Sequence, residues 1–249
     1  IGMTLLQVAG NPIMRDVSEA GRFARNLTLG QFVKAIGSLS GAVIPVVAAR
    51  SFGASWGVIF PVYAVAIALT DVAVPTLKVT EQKPDRPAAT LGSCLALLAN
   101  PYVLSMVAAI FLYVGAEVSV SAGIPLLLKD RFGIDINREG LLGTGLFFTA
   151  LTIGRFSGSV VLTWMAPRRF LVVTCLLSLA GLAGLFLPSS PLALASFVVA
   201  GLGFANIFPL VFSIAVEKMP SHTNELSGLM ITAIVGGAFL PPVMGMVLG

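Results

Sequence analysis

The stretch PYVLSMVAAIFLYVGAEVSVSAGIPLLL, residues 101–128, decides the fold. It is apolar through most of its length, and Glu117 is its one charged residue. It exceeds the about 20 residues that a helix needs to cross hydrocarbon. Asn100 and Pro101 stand where an N-cap and a first helical position are expected. Glu117 sits too far from either end for its side chain to reach a polar surface. A charge at the bilayer centre costs roughly 3 kcal/mol or more, so it faces a bundle interior or a wet path. It is then either ionised and paired, or protonated by desolvation.

Working outward, comparable apolar stretches run at about 27–49, 54–77, 139–163, 170–187, 191–216 and 225–248, with a partial one at 1–14. The expected class is an all-α polytopic membrane protein. Composition agrees: apolar residues make up 57% and charged residues 10%, against about 25% charged in soluble domains. The mean hydropathy is +0.97, which leaves no polar coat for water. The sequence opens and closes inside apolar runs, so it reads as part of a longer chain.

The basic residues are confined to short loops, so the net charge of +4 is no nucleic-acid signal. Arg15, Arg22, Arg25, Lys78, Lys83, Arg86, Arg168, Arg169 and Lys218 fall on one side, and Arg50, Lys129, Arg131 and Arg138 on the other. This asymmetry places the first set in the cytoplasm. Cys94 and Cys175 have no zinc or disulfide spacing. Phosphate loops, HExxH and GxSxG are missing too, which argues against an enzyme, a metal site or an organic cofactor.

One sustained polar stretch, TEQKPDRPAAT (80–90), precedes LGSCLALLA (91–99), which suits a short helix on the membrane surface. The expected organisation is one bundle over 1–77, a cytoplasmic linker over 78–100 and a second bundle over 101–249. The pairs Gly37/Gly41 and Gly154/Gly158 offer smooth faces for close helix packing. Prolines within the spans, among them Pro45, Pro125, Pro209, Pro241 and Pro242, are expected to bend or break helices.

Two more spans carry a lone charge. Lys34 lies about 10 Å and Arg155 about 12 Å from the cytoplasmic ends of their helices at 1.5 Å per residue. Gln7 and Asn11 are i, i+4 on one face, and Gln31 and Lys34 are i, i+3 on the next helix. With Glu117 and the mid-span amide Asn206 they form the candidate substrate-binding set. Hydroxyl-rich ligands suit such donors and acceptors. Arg155, Arg168, Arg169 and the near-terminal Asp71 are candidates for gating or structural roles. Phe111, Tyr113, Phe147, Phe148, Phe204 and Phe208 lie near these groups, for stacking on a ring or for packing. His222 reads as a solvated loop residue.

The segments TLLQVAGNP (4–12), FLYVGAEVSVSAGIPLLL (111–128), TGLFFTALTIGRFSGSVVLTWMAPRRFL (144–171), NIFPLVFSIAVE (206–217) and GLMITAIVGGAFLPPVMGMVLG (228–249) together resemble the fucose–galactose–glucose:proton symporter family of the major facilitator superfamily. The resemblance implies a fragment of a twelve-helix, two-bundle transporter, from part of helix four through helix eleven. It also implies a secondary sugar transporter that works by alternating access. Its partners would be a small sugar and the lipid bilayer, with no nucleic acid, in an inner or plasma membrane and as a monomer. The coupling ion would be a proton or sodium.

Residue by residue, Gln7 and Asn11 fall in the helix-four motif that faces the central path. Fucose-type members carry a Glu in place of Gln7, tied to proton coupling, so proton use at that position is in doubt here. Gln31 matches a glutamine on helix five, while Lys34 replaces an expected Asn. Glu117 matches the YVGAE form of hexose-transporting relatives. Two rival readings remain open: a carrier of anionic sugars or organic anions that uses Lys34, and a non-transporting sensor on the same fold.

Overall fold

The computed structural model describes residues 2–76, 89–134 and 145–248. Among these residues every regular element is helical. That follows from the composition, because a chain in hydrocarbon must satisfy its backbone hydrogen bonds internally. The helices are α1 (Gly2–Asp16), α2 (Phe23–Phe52), α3 (Ile59–Ala73), α4 (Leu91–Leu97), α5 (Pro101–Phe132), α6 (Leu146–Val161), α7 (Pro167–Gly184), α8 (Ser190–Phe204), α9 (Ile207–Lys218), α10 (Thr223–Thr232) and α11 (Gly236–Leu248). Short 3₁₀ turns extend α3 at both ends, precede α10, and join α10 to α11. Six helical stretches among the described residues are long and apolar enough to cross a membrane, with α8 and α9 together forming one of them.

α5 shows how local sequence sets its ends. The Asn100 side chain accepts from the Tyr102 amide at 2.9 Å, and Pro101 occupies the first helical position. At the other end Gly133 adopts φ 64°, a left-handed turn that glycine makes without a Cβ penalty. The Gly133 and Ile134 amides then close onto the Lys129 and Leu128 carbonyls. Arg131 caps a neighbour by donating to Leu185 O at 2.6 Å and Phe186 O at 2.8 Å.

The surface helix expected after the polar stretch is α4, which opens with a capping box between Thr90 and Ser93. The span expected at 139–163 appears as α6, because residues 135–144 lie outside those described. Lys78, Lys83, Arg86 and Arg138 also lie outside them.

The chain divides into two compact units. The first comprises residues up to 32 and from 89 onward. Here α7 and α6 pack along α8, α11 packs along α5, and α1 packs along α10. Every residue from Ile207 to Val216 is buried, so the α8–α9 stretch is the centre of this unit. Small residues permit the closeness. A Cβ on Gly203 would meet the Ser178 backbone at 2.4 Å, and one on Gly181 would meet the Ala200 backbone at 2.4 Å.

The second unit covers residues 33–88. In it the Tyr63 hydroxyl reaches Gly37 O at 3.0 Å and Ser40 Oγ at 2.9 Å. Gly41 gives it room, since a Cβ there would lie 3.3 Å from the same hydroxyl.

Candidate functional site

The single helix expected over 191–216 is broken at Ala205 and Asn206. Pro209 explains part of this. It has no N–H to give to the carbonyl four residues earlier, that of Ala205. Ile207 then starts a new helix, with Asn206 O accepting from the Leu210 amide at 3.1 Å. The break frees backbone carbonyls in a place without water, where each unpaired group costs several kcal/mol.

Side chains from two neighbouring helices serve them. Tyr113 on α5 donates to Phe204 O at 2.9 Å. Arg155 on α6 donates through Nε to Ala205 O at 3.4 Å and through Nη1 to Gln31 O on α2 at 3.4 Å. Asn206 Nδ2 donates to Gly154 O at 2.8 Å. The Gly154/Gly158 face receives the junction. A Cβ on Gly158 would sit 2.3 Å from Asn206 Oδ1, and one on Gly154 2.6 Å from the Ala205 Cβ. The expected smooth face of α6 is therefore a seat for the break.

Glu117 joins this cluster one helical turn from Tyr113, whose hydroxyl also hydrogen-bonds to its carboxylate. The Arg155 guanidinium lies beside the same hydroxyl. The acid and the base from two apolar spans thus meet at one buried phenol, and this offsets the cost of placing each in lipid.

A second locus lies on α1. Pro12 cannot bond the Val8 carbonyl, and Ser227 of α10 donates to that carbonyl at 2.9 Å. Gln7 is half-buried. Asn11 is 8% exposed, with its Nδ2 buried and unpartnered. Arg15, one turn further along the same face, donates to Thr223 Oγ1 at 3.0 Å and Pro220 O at 3.4 Å.

The structure therefore brings Glu117, Arg155, Asn206 and the Gln31 backbone into one cluster, with Gln7 and Asn11 on the α1 face. Lys34 is exposed on the part of α2 that belongs to the second unit, and Asp71 is exposed on α3. Arg168 and Arg169 are exposed at the start of α7. Phe147 and Phe204 are core residues, 0% and 4% exposed, with rings 6.1 Å apart; burial leaves neither face open to a ligand. His222, expected in solvent, is half-buried 3.9 Å from Glu225. Beside it, burial pushes the Cys94 thiol up, and the Glu225 carboxylate adds to this.

Residue reading alone missed the Tyr113 hydroxyl and the reach of Arg15. The Tyr113/Glu117 spacing of i, i+4 was the available signal for the first. Among the described residues no group of three His, Cys, Asp or Glu side chains could hold a metal.

Residues 1–242 match the Major Facilitator Superfamily. The chain is 29% identical to a glucose/galactose transporter of Brucella abortus, over 98% of this chain and 62% of that protein. It is 27% identical to a putative glucose/galactose transporter of Helicobacter pylori, over 99% of this chain and 63% of that one. The L-fucose-proton symporter of Escherichia coli matches at 25% over 55% of this chain and 31% of its own length. The chain thus spans a little over three fifths of the first two relatives. The crystal structure of FucP, a superfamily transporter in the outward conformation, superposes with a TM-score of 0.83 over 97% of this chain and 66% of that one, at 18% identity. The relatives are transporters rather than enzymes, and the multi-pass helical architecture is theirs: this chain belongs to the major facilitator superfamily.

Proposed function

We propose that the protein is a secondary transporter of neutral hexose-type sugars, coupled to a proton or sodium ion, in the inner or plasma membrane. Support comes from relatives named as glucose/galactose transporters across nearly the whole chain. The observation that carries the reading is Glu117, an acid held inside a span by Tyr113 at a broken helix. Broken helices with polar groups at mid-membrane are where secondary transporters bind substrate and ion.

In this reading sugar hydroxyls bond to Gln7, Asn11, Gln31, Glu117 and Asn206. Asn11 Nδ2 and Asn206 Oδ1 are buried with no partner and suit a hydroxyl acceptor and donor respectively. Arg155 acts as the structural clamp of the break; Arg168, Arg169 and Asp71 serve helix ends and gating. Residues 1–77 belong to one bundle and 101–249 to the other, joined by the linker 78–100. The working unit is a monomer.

The test is uptake by the full-length protein in liposomes, with neutral hexoses and sugar acids under an imposed proton or sodium gradient. The expected result is gradient-driven uptake of a neutral hexose that Glu117→Ala abolishes. Uptake of sugar acids alone, lost in Lys34→Gln, would move the function to anion transport. Binding with no flux under either gradient would leave a sensor.

A further inference from the structure

Tyr113 is 7% exposed, and its hydroxyl meets two acceptors, a Glu117 carboxylate oxygen and Phe204 O at 2.9 Å. A phenol has one proton to donate and lone pairs with which to accept. It cannot donate to both at once. An unbroken helix would give Phe204 O the amide of Phe208; at the break Tyr113 is the donor that reaches it. Phe204 itself is 4% exposed, so water does not compete freely for that carbonyl.

We propose that Tyr113 is a positioning residue that transmits the charge of Glu117 to the α8–α9 break, making the Glu117–Tyr113–Phe204 carbonyl chain the coupling-proton site. This rests on the transport reading above and deepens it. With Glu117 a carboxylate, it only accepts, Tyr113 donates to it, and Phe204 O is left without that donor. One proton added to a Glu117 oxygen makes a carboxylic acid that donates to the Tyr113 oxygen. The phenol O–H turns to Phe204 O. Tyr113 loses no proton, so the balance is one proton bound at Glu117 and two hydrogen bonds in series where there was one.

The charge that faces Glu117 is that of Arg155, which lies beside the Tyr113 hydroxyl and holds the next carbonyl, Ala205 O. The other helices packed on α5 contribute little. α8 and α11 carry no titratable side chain. α9 carries Glu217 and Lys218, about 16 Å along the helix from the break at 1.5 Å per residue. α10 carries Glu225 in its first turn. The Glu117 charge is therefore read by the two donors that hold consecutive carbonyls of the break.

The test uses full-length protein in liposomes, comparing uphill hexose accumulation with sugar exchange at equal pH on both sides. An infrared pH titration of the purified protein without sugar follows the carboxylic acid band. In Tyr113→Phe and Glu117→Gln the ratio of uphill accumulation to exchange falls about tenfold, and the exchange that remains loses its pH dependence. The carboxyl band is absent in Glu117→Gln and displaced in Tyr113→Phe. A Tyr113→Phe variant with the wild-type ratio and pH profile overturns the proposal, and so does an undisplaced band. If wild-type protein binds no hexose at all, the transport reading fails instead, and the infrared titration still decides whether Tyr113 reads Glu117. Should Tyr113→Phe fail to fold, Glu117→Gln carries the same comparison: accumulation that survives there overturns the proposal.

Discussion

The α8–α9 stretch and the α3 stretch are equally apolar, with mean hydropathies of 2.1 and 2.0 over their best windows. Yet 78% of the first window is buried among the described residues, and 0% of the second. Hydropathy alone does not distinguish them, since lipid tails are as apolar as leucine. Among the described residues, the first is met on several sides by small and polar groups. α8–α9 carries Gly201, Gly203, Ser196, Asn206 and Ser213, and its neighbours meet it with Gly154, Gly158, Arg155 and Tyr113. α3 presents Phe60, Val65, Ile67, Leu69 and Val72, each at least 60% exposed, and its Tyr63 hydroxyl bonds to α2. Within the packed unit, burial goes with close approach and carbonyl capture.

Matched glycine substitutions press hardest on this contrast. Gly158→Ala puts a Cβ against Asn206 and is expected to cost about 3 kcal/mol, near the upper range for overpacking. Gly37→Ala, where a Cβ meets nothing within 4 Å, is expected to leave stability unchanged. Thermal unfolding of the full-length protein in detergent measures both, and equal losses would break the comparison. Next in size is Arg155→Leu, which removes the donor to two backbone carbonyls. A loss of about 2 kcal/mol is expected from charged hydrogen bonds, seen as a lower midpoint in the same assay.

Ser227→Ala removes the donor to the carbonyl that Pro12 frees, and about 0.6 kcal/mol is expected for one interhelical bond in a membrane protein. The smallest effect concerns Cys94. Its raised thiol carries less thiolate at a given pH, so alkylation should lag a free cysteine near neutral pH and catch up only as pH rises. Glu225→Gln should speed it slightly. A Cys94 rate equal to that of free cysteine across the pH range would contradict the burial described.

The spans, the class and the close-packing face of α6 were all legible, because apolar length and small-residue spacing are properties of the sequence itself. So were Glu117 and Arg155, as charges in places that charges avoid. Their partners were not legible. Arg155 binds backbone carbonyls, which no side-chain pattern announces, and Pro209 signals a disturbed helix without saying which donor will serve the freed group. Asn206 was visible as a buried amide but not as the residue at the break. Arg15 read as a loop charge because its partners, Pro220 and Thr223, lie more than two hundred positions away.

Glu117 lies mid-span in the packed unit, and Asp71 lies near the end of α3 in the other unit. The most direct measurement is sugar-dependent thermal stabilisation of the full-length protein, in the wild type, Glu117→Ala and Asp71→Asn. A ligand at a hundred times its Kd stabilises by about 2.7 kcal/mol. The account predicts that a neutral hexose gives a shift of that order in the wild type and in Asp71→Asn, and none in Glu117→Ala. A full shift in Glu117→Ala, or its loss in Asp71→Asn alone, would contradict it.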